Sequence, residues 1–104
     1  MTGPELTIGR GVIAEMVRLA AVGIPGVTRV SRGGPAWRAA LAGPSVVTHL
    51  SDEGVRVRVW IVARPGQQLT ILADDVRTAV GGAVERLLGL QLESVIVTVD
   101  GVGA

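Results

Sequence analysis

The side chains of this sequence that could do chemistry are few and scattered. His49 is the only histidine and there is no cysteine, so no imidazole or thiol can join it in a metal site or a nucleophile–base pair. Asp74 and Asp75 are adjacent on a predicted helix, where neighbouring side chains diverge by about 100°. Their position near the helix start is better explained by a favourable interaction with the helix dipole than by a role in catalysis. We therefore predict a protein that is not an enzyme and has no catalytic residue, cofactor or metal ion.

Glycines stand in two places that could bind a ligand or a partner. The segment Gly9–Gly11 precedes a helix, but it lacks the third glycine of a dinucleotide fingerprint and the ending of a phosphate-binding loop. A strand-to-helix turn explains it better. Gly81 and Gly82 lie inside a predicted helix, on the polar side of its apolar stripe, and cost about 2 kcal/mol relative to alanines. Either the pair is merely tolerated, or it lets a second backbone approach in self-association.

The segment VRVRVWIV, Val55–Val62, predicts a strand with two unlike faces. Alternate side chains point to opposite sides of a strand, so one face is aliphatic and the other carries two arginines and a tryptophan. The second face could bind nucleic acid, contact a protein or simply face water. Trp and Arg are enriched where interfaces concentrate their binding energy. We predict a protein-interaction patch that includes part of the last strand and consists of Arg56, Arg58, Trp60, Ile96 and Thr98.

Nucleic-acid binding through the open sheet face is the alternative function, because some small sheets stack bases on aromatic side chains. The composition argues against it. The chain has two Trp, no Phe and no Tyr, and its 10 cations, all arginine, oppose 9 acids for a net charge of +1. A dedicated nucleic-acid-binding domain carries a larger basic excess. We rank nucleic acid below a protein partner.

Two amphipathic helices are predicted. The first runs from about Gly11 to Val22 and stops at Gly23, with an apolar stripe of Val12, Ile13, Met16, Leu19 and Ala20. The second is capped by Thr70 and ends at Gly89. Its longer stripe comprises Leu72, Val76, Ala79, Val80, Ala83, Leu87 and Leu88.

Five strands are predicted around these helices, at Leu6–Ile8, Gly26–Ser31, Val46–Leu50, Val55–Ala63 and Leu92–Asp100. The third and fourth are joined by SDEG, which favours an antiparallel hairpin. The fourth and fifth flank the second helix, which predicts a parallel crossover. An irregular loop at about 32–45, with one helical turn at Trp37–Leu41, separates the second and third. We expect Trp37 to fold back onto the sheet edge or core rather than to anchor at lipid headgroups.

These elements predict an α+β fold, a two-layer sandwich with two helices packed on one face of a mixed β-sheet and the other face uncovered. With 104 residues the chain is expected to form a single domain, 1–104. The residues predicted to be buried between the layers are Met16, Leu19, Val57, Val59, Val76, Val80, Leu87 and Val97.

Three stretches resemble the alkaline shock protein family, also called Gls-type envelope stress response proteins: GRGVIAEMVRLAAVGIPGVTRV, VRVRVWIV and VRTAVGGAVERLLGLQLESVIVTVDGV. The ending is the most specific part, with a helix containing VE, then GL, a valine-rich strand and DGV. The middle segment RGGPAWRAALAGPSVVTHL has no counterpart, which leaves partner contacts made there open. The resemblance implies a cytoplasmic protein without enzymatic activity, held near the membrane by a membrane-anchored protein partner and prone to self-association.

The sequence itself gives no sign of direct membrane insertion. The N-terminus MTGPELTIGR has neither a basic region followed by an apolar run nor a cleavage site. The longest apolar segment, Val12–Ile24, is interrupted by Glu15 and Arg18 and is too short to span a bilayer. We therefore expect a soluble chain whose contact with the membrane is indirect.

Overall fold

Three α-helices and four β-strands follow one another in a computed structural model that describes residues 9–103. The predicted strand at Leu6–Ile8 lies outside those residues. The elements are α1 (Arg10–Val22), β1 (Val27–Val30), α2 (Ala36–Ala42), β2 (Val46–Ser51), β3 (Gly54–Ala63), α3 (Leu69–Gly82), a π-helical turn (Ala83–Leu87) that continues α3, and β4 (Leu92–Val102).

The sheet is built around β3. On one side β4 runs parallel to it, and on the other side β2 and β1 run antiparallel to successive parts of it. β2 pairs with Gly54–Val59 and β1 with Ile61–Ala63, so the two short strands form one edge that is interrupted at Trp60. The predicted hairpin and parallel crossover are both confirmed.

One face of this sheet is covered by α1 and α3. The aliphatic face of β3 is no more than 1% exposed at any of Val55, Val57, Val59 and Ile61. Against it pack Ile13 and Val17 of α1 and Leu72, Val76 and Val80 of α3. The two-layer α+β sandwich predicted from the sequence is therefore confirmed, as is the burial of Val57, Val59, Val76 and Val80.

The predicted apolar stripe of α1 is wrong by about one residue of rotation. Leu19 is 49% exposed and Met16 is only partly buried, whereas Ile13, Val17 and Ala21 are fully buried. Apart from Arg10, Glu15 and Arg18, nearly every position of this helix is apolar. Periodicity therefore defined a broad stripe but could not locate its centre, which packing against the sheet places on Val17.

The two ends of α3 also differ from prediction. The helix begins at Leu69 after Gln68, without a side-chain cap, so Thr70 is not its N-cap. At the other end the Leu88 N–H donates to the Ala83 carbonyl five residues back (3.1 Å). The extra residue in this turn moves Leu87 off the buried stripe and leaves it 69% exposed. The helical segment ends, as predicted, at Gly89, whose φ is +67°.

Candidate interaction surface

The outer sheet face, which is the face turned away from α1 and α3, brings all five residues of the predicted patch together. Strand register places Arg58 between Val47 of β2 and Ile96 of β4. Trp60 lies opposite Thr98 of β4, and Arg56 lies two residues before Arg58 along β3. Alternation along β3 and its alignment with β4 produce this grouping. The patch is therefore a contiguous surface across adjacent strands.

Trp60 lies in this patch but is itself only 8% exposed. The guanidinium of Arg32 stacks over its ring, 3.4 Å from the ring centre, and that of Arg58 lies 5.1 Å away. Its backbone N–H donates to the Ser45 carbonyl (2.9 Å), and its carbonyl accepts from the Ser31 N–H (3.0 Å). Trp60 therefore holds the segment that interrupts the sheet edge in place through these hydrogen bonds and the stacked arginine. Its ring is not free to anchor a partner.

The interrupting segment, residues 32–44, is tied down at its ends and projects in the middle. Arg32 Nε donates to the Pro44 carbonyl (3.1 Å), and the Gly33 N–H donates to Asp100 Oδ2 (2.8 Å). A Cβ on Gly33 would overlap the Asp100 carbonyl oxygen, so this close approach requires glycine. Sequence reasoning found neither contact, because both join parts of the chain that are far apart.

Helix α2, in the middle of this segment, buries none of its residues. Trp37 is 67% exposed and Leu41 is 81% exposed. The prediction that Trp37 folds back onto the sheet is therefore wrong. Arg32, rather than Trp37, covers the sheet beside the interruption.

A shallow groove of about 290 Å³ runs along the outer sheet face. Ile96, which is 50% exposed, contributes apolar surface to it. Arg56 Nε binds Glu93 Oε2 (3.1 Å), whereas Arg58 makes no ion pair with a carboxylate within residues 9–103. The groove can accept an apolar side chain with a carboxylate beside it. Its lining comprises Val47, His49, Arg56, Val57, Arg58, Ser94 and Ile96.

Comparison with known proteins gives this fold a family. The model of the alkaline shock protein 23 family, which is described as having a cell envelope-related function, matches residues 2–104. The chain belongs to this family. The resemblance seen in the sequence is thereby confirmed over almost the whole chain of this family member. No curated protein matches its sequence.

Solved structures similar to this family member include several of the MamM CTD. The manganese form of one variant is 19% identical with a TM-score of 0.65, covering 89% of this chain and 99% of that chain. A nickel form is 18% identical with a TM-score of 0.64, covering 88% and 96%. A copper form is 18% identical with a TM-score of 0.65, covering 88% and 85%. At these identities the similarity is one of fold.

Within the part of the chain that the structure describes, the side chains form no candidate metal site. Across residues 9–103 no three His, Cys, Asp or Glu side chains cluster as metal ligands. In the same range, no helix has the length and apolar character needed to cross a membrane. A hydrogen bond from Arg18 lowers the pKa of Glu15, and this pair lies on the exposed side of α1, remote from the outer sheet face.

The glycine pair of α3 does not form the bare outer surface that the sequence suggested. Gly81 is buried and faces the sheet, where an added Cβ would lie 3.2 Å from Leu92 Cδ2. Its placement on the polar side was therefore wrong, because α3 packs with this residue over β4. Gly82 faces outward but lies under Arg86, whose guanidinium nitrogen would be 2.6 Å from an added Cβ.

Proposed function

We propose that this chain is a non-catalytic interaction module of the envelope stress response. It works in the cytoplasm at the inner face of the membrane, where its outer sheet face binds a membrane-anchored protein. The observation that carries the proposal is the groove beside Arg58, which combines half-exposed apolar surface with a cation that no carboxylate of the described chain neutralises. The cell envelope-related function of the family supports the location.

The groove indicates what the partner should offer. Ile96 and Val47 provide apolar contact, while Arg58 provides donors for a carboxylate. A partner segment with an apolar side chain next to Asp or Glu would satisfy both. Self-association belongs to the same proposal, because a scaffold holds several partners by presenting several copies of one groove.

Nucleic-acid binding is less well supported than the sequence suggested. A stacking platform requires an exposed aromatic face, but the Trp60 ring lies under Arg32 and is 8% exposed. Trp37 is exposed, yet it belongs to α2 and not to the strands that carry the arginines of the patch. We expect no affinity for single-stranded RNA or DNA that falls steeply as salt rises.

Affinity capture from native cells with membranes retained tests this function. The wild type is compared with Arg58→Ser and His49→Ser, two variants that alter the groove. It is also compared with Arg86→Ser, which removes an exposed arginine from the helical layer. We expect a membrane protein to be recovered by the wild type and by Arg86→Ser. Recovery by Arg58→Ser should fall roughly 30-fold if that arginine is worth about 2 kcal/mol. Equal recovery by all variants, or recovery of nucleic acid instead, would contradict the proposal.

A further inference from the structure

The outer edge of β4 lacks the features that normally keep a strand edge from pairing. Within residues 9–103 its only strand partner is β3. The segment Ser94–Val99, SVIVTV, has no charge, proline or glycine. The acids that flank it face elsewhere, since Glu93 binds Arg56 and the Asp100 carboxylate accepts from the Gly33 N–H.

The pairing of β3 decides which backbone groups of β4 point outward. Trp60 uses both its N–H and its carbonyl toward the β1 and β2 side, so the odd-numbered residues of β3 bond to β4. The hydrogen bonds from Val55 N–H to the Gln91 carbonyl (2.8 Å) and from Gly103 N–H to the Ala63 carbonyl (2.8 Å) agree with this alternation.

In a parallel ladder each residue bonds to the two residues that flank its partner. Val59 is paired with Val97, so Ile96 and Thr98 direct their backbone groups toward β3. Val97 then directs its own N–H and carbonyl away from the sheet. The same holds for Val95 and Val99, paired with odd-numbered residues of β3.

This edge is symmetric about Val97. Val95 and Val99 lie two residues before and after Val97. In an antiparallel pairing of two identical strands, the outward N–H and carbonyl of Val95 in one copy lie opposite those of Val99 in the other. The irregularities in the β3–β4 register fall between Leu92 and Ser94 and between Val99 and Val102, so the regular part of β4 is Ser94–Val99. An antiparallel copy centred on Val97 therefore pairs Val95–Val99 of one strand with the same residues of the other.

We propose that β4 of one chain pairs antiparallel with β4 of a second copy around a two-fold axis at Val97, so that the two sheets become continuous. This inference deepens the self-association of the proposed function and rests on it. The side chains are compatible, because Ile96 of one copy then lies opposite Thr98 of the other. No acid opposes an acid, since Glu93 meets Gly101 and Asp100 meets Ser94.

A groove of about 640 Å³ between α3 and β4 gives room for the second copy. Leu69 and Ala73 contribute apolar surface to it, and Leu69 is 41% exposed. Asp74 and Arg77 also line it and pair with each other, so a second copy brings no unbalanced charge. Self-complementarity in length, register and charge favours a second copy over a foreign strand.

Single cysteines test this pairing directly, because the chain has no cysteine of its own. In the proposed dimer two Val97 residues face each other as a hydrogen-bonded pair about 5.5 Å apart between Cα atoms, which is within disulfide range. Val97→Cys should therefore oxidise to a covalent dimer about tenfold or more faster than Val12→Cys, an exposed α1 control that reports random collision. Mixed Val95→Cys and Val99→Cys should form heterodimers at a comparable rate.

Sedimentation of the unmodified chain is measured alongside and separates the possible failures. A dimer that crosslinks at Val97 no faster than at Val12 would overturn the β4 pairing and leave self-association standing. A monomer at all concentrations would overturn both. A monomer whose Val97→Cys variant crosslinks in cells to another protein would show that a foreign strand, not a second copy, occupies the edge. Circular dichroism checks that each variant keeps its fold.

Discussion

Trp60 is a structural residue as much as a surface one. Its ring is sandwiched between the sheet and Arg32, and its backbone holds both ends of the interrupting segment. We expect Trp60→Ala to lower the free energy of unfolding by about 3 kcal/mol and Arg32→Ala by about 1 kcal/mol. Strand alternation alone, which places Trp60 on the uncovered sheet face, predicts instead that Trp60→Ala leaves folding largely intact. Urea denaturation of both single variants and the double variant measures the coupling, and additive effects would contradict the stacking.

Val80 tests the packing between α3 and the sheet. It is fully buried, so Val80→Asp places an unpaired carboxylate in the core. We expect a loss of about 3 kcal/mol or more in the free energy of unfolding. Val12→Asp is the matched control, because Val12 is 52% exposed on α1 and should tolerate aspartate within about 0.5 kcal/mol. Thermal denaturation with equal losses for both variants would mean that the buried face is misassigned.

Helix α2 exposes two large apolar side chains, Trp37 and Leu41, yet we expect the chain's contact with the membrane to be indirect. It has seven residues and a single arginine, so it lacks the broad apolar and cationic faces of a membrane-surface helix. The purified protein should not sediment with neutral or anionic vesicles, and Trp37→Ser should not change this result. The same substitution should change the free energy of unfolding by no more than about 0.5 kcal/mol. Vesicle binding that is lost in Trp37→Ser, with a blue shift of Trp37 fluorescence, would make α2 a lipid anchor.

The strands were more predictable than the orientation of the helices. Burial alternates along β3 from Val55 to Val59, and a period of two leaves only one choice of which face is buried. The stripe of α1 is broad, so Leu19 and Val17 could not be distinguished without the sheet. Leu87 was misplaced because nothing local distinguishes a π-helical turn from an α-helix, and this turn packs against α1, which is distant in the sequence.

The candidate surface was predictable only where it follows strand alternation. Arg56 and Arg58 share a face by period alone, and Ile96 and Thr98 join them once β3 and β4 are parallel neighbours. The cover of Arg32 over Trp60 depends on a segment that leaves the sheet edge and returns to it. Periodicity carries no information about such a long-range contact.

The proposed dimer determines how the two outer sheet faces are oriented relative to each other. An antiparallel pairing within one continuous sheet has its two-fold axis perpendicular to the sheet, so both outer sheet faces point the same way. Two grooves can then engage partners in one membrane at once, and apparent affinity rises through effective concentration. A variant confined to the monomer should therefore lose membrane recruitment by about tenfold or more, while a soluble partner segment still binds one groove unchanged. Equal loss of both would contradict a role for bivalency.

The fraction of the chain that sediments with native membranes tests the central claim most directly, with Arg58→Ser compared against Arg86→Ser. Both variants remove one exposed arginine, so their net charge is identical, but only Arg58 borders the groove. We predict that Arg86→Ser partitions like the wild type and that Arg58→Ser moves to the supernatant. Equal membrane partition of the two variants would contradict partner binding through the outer sheet face.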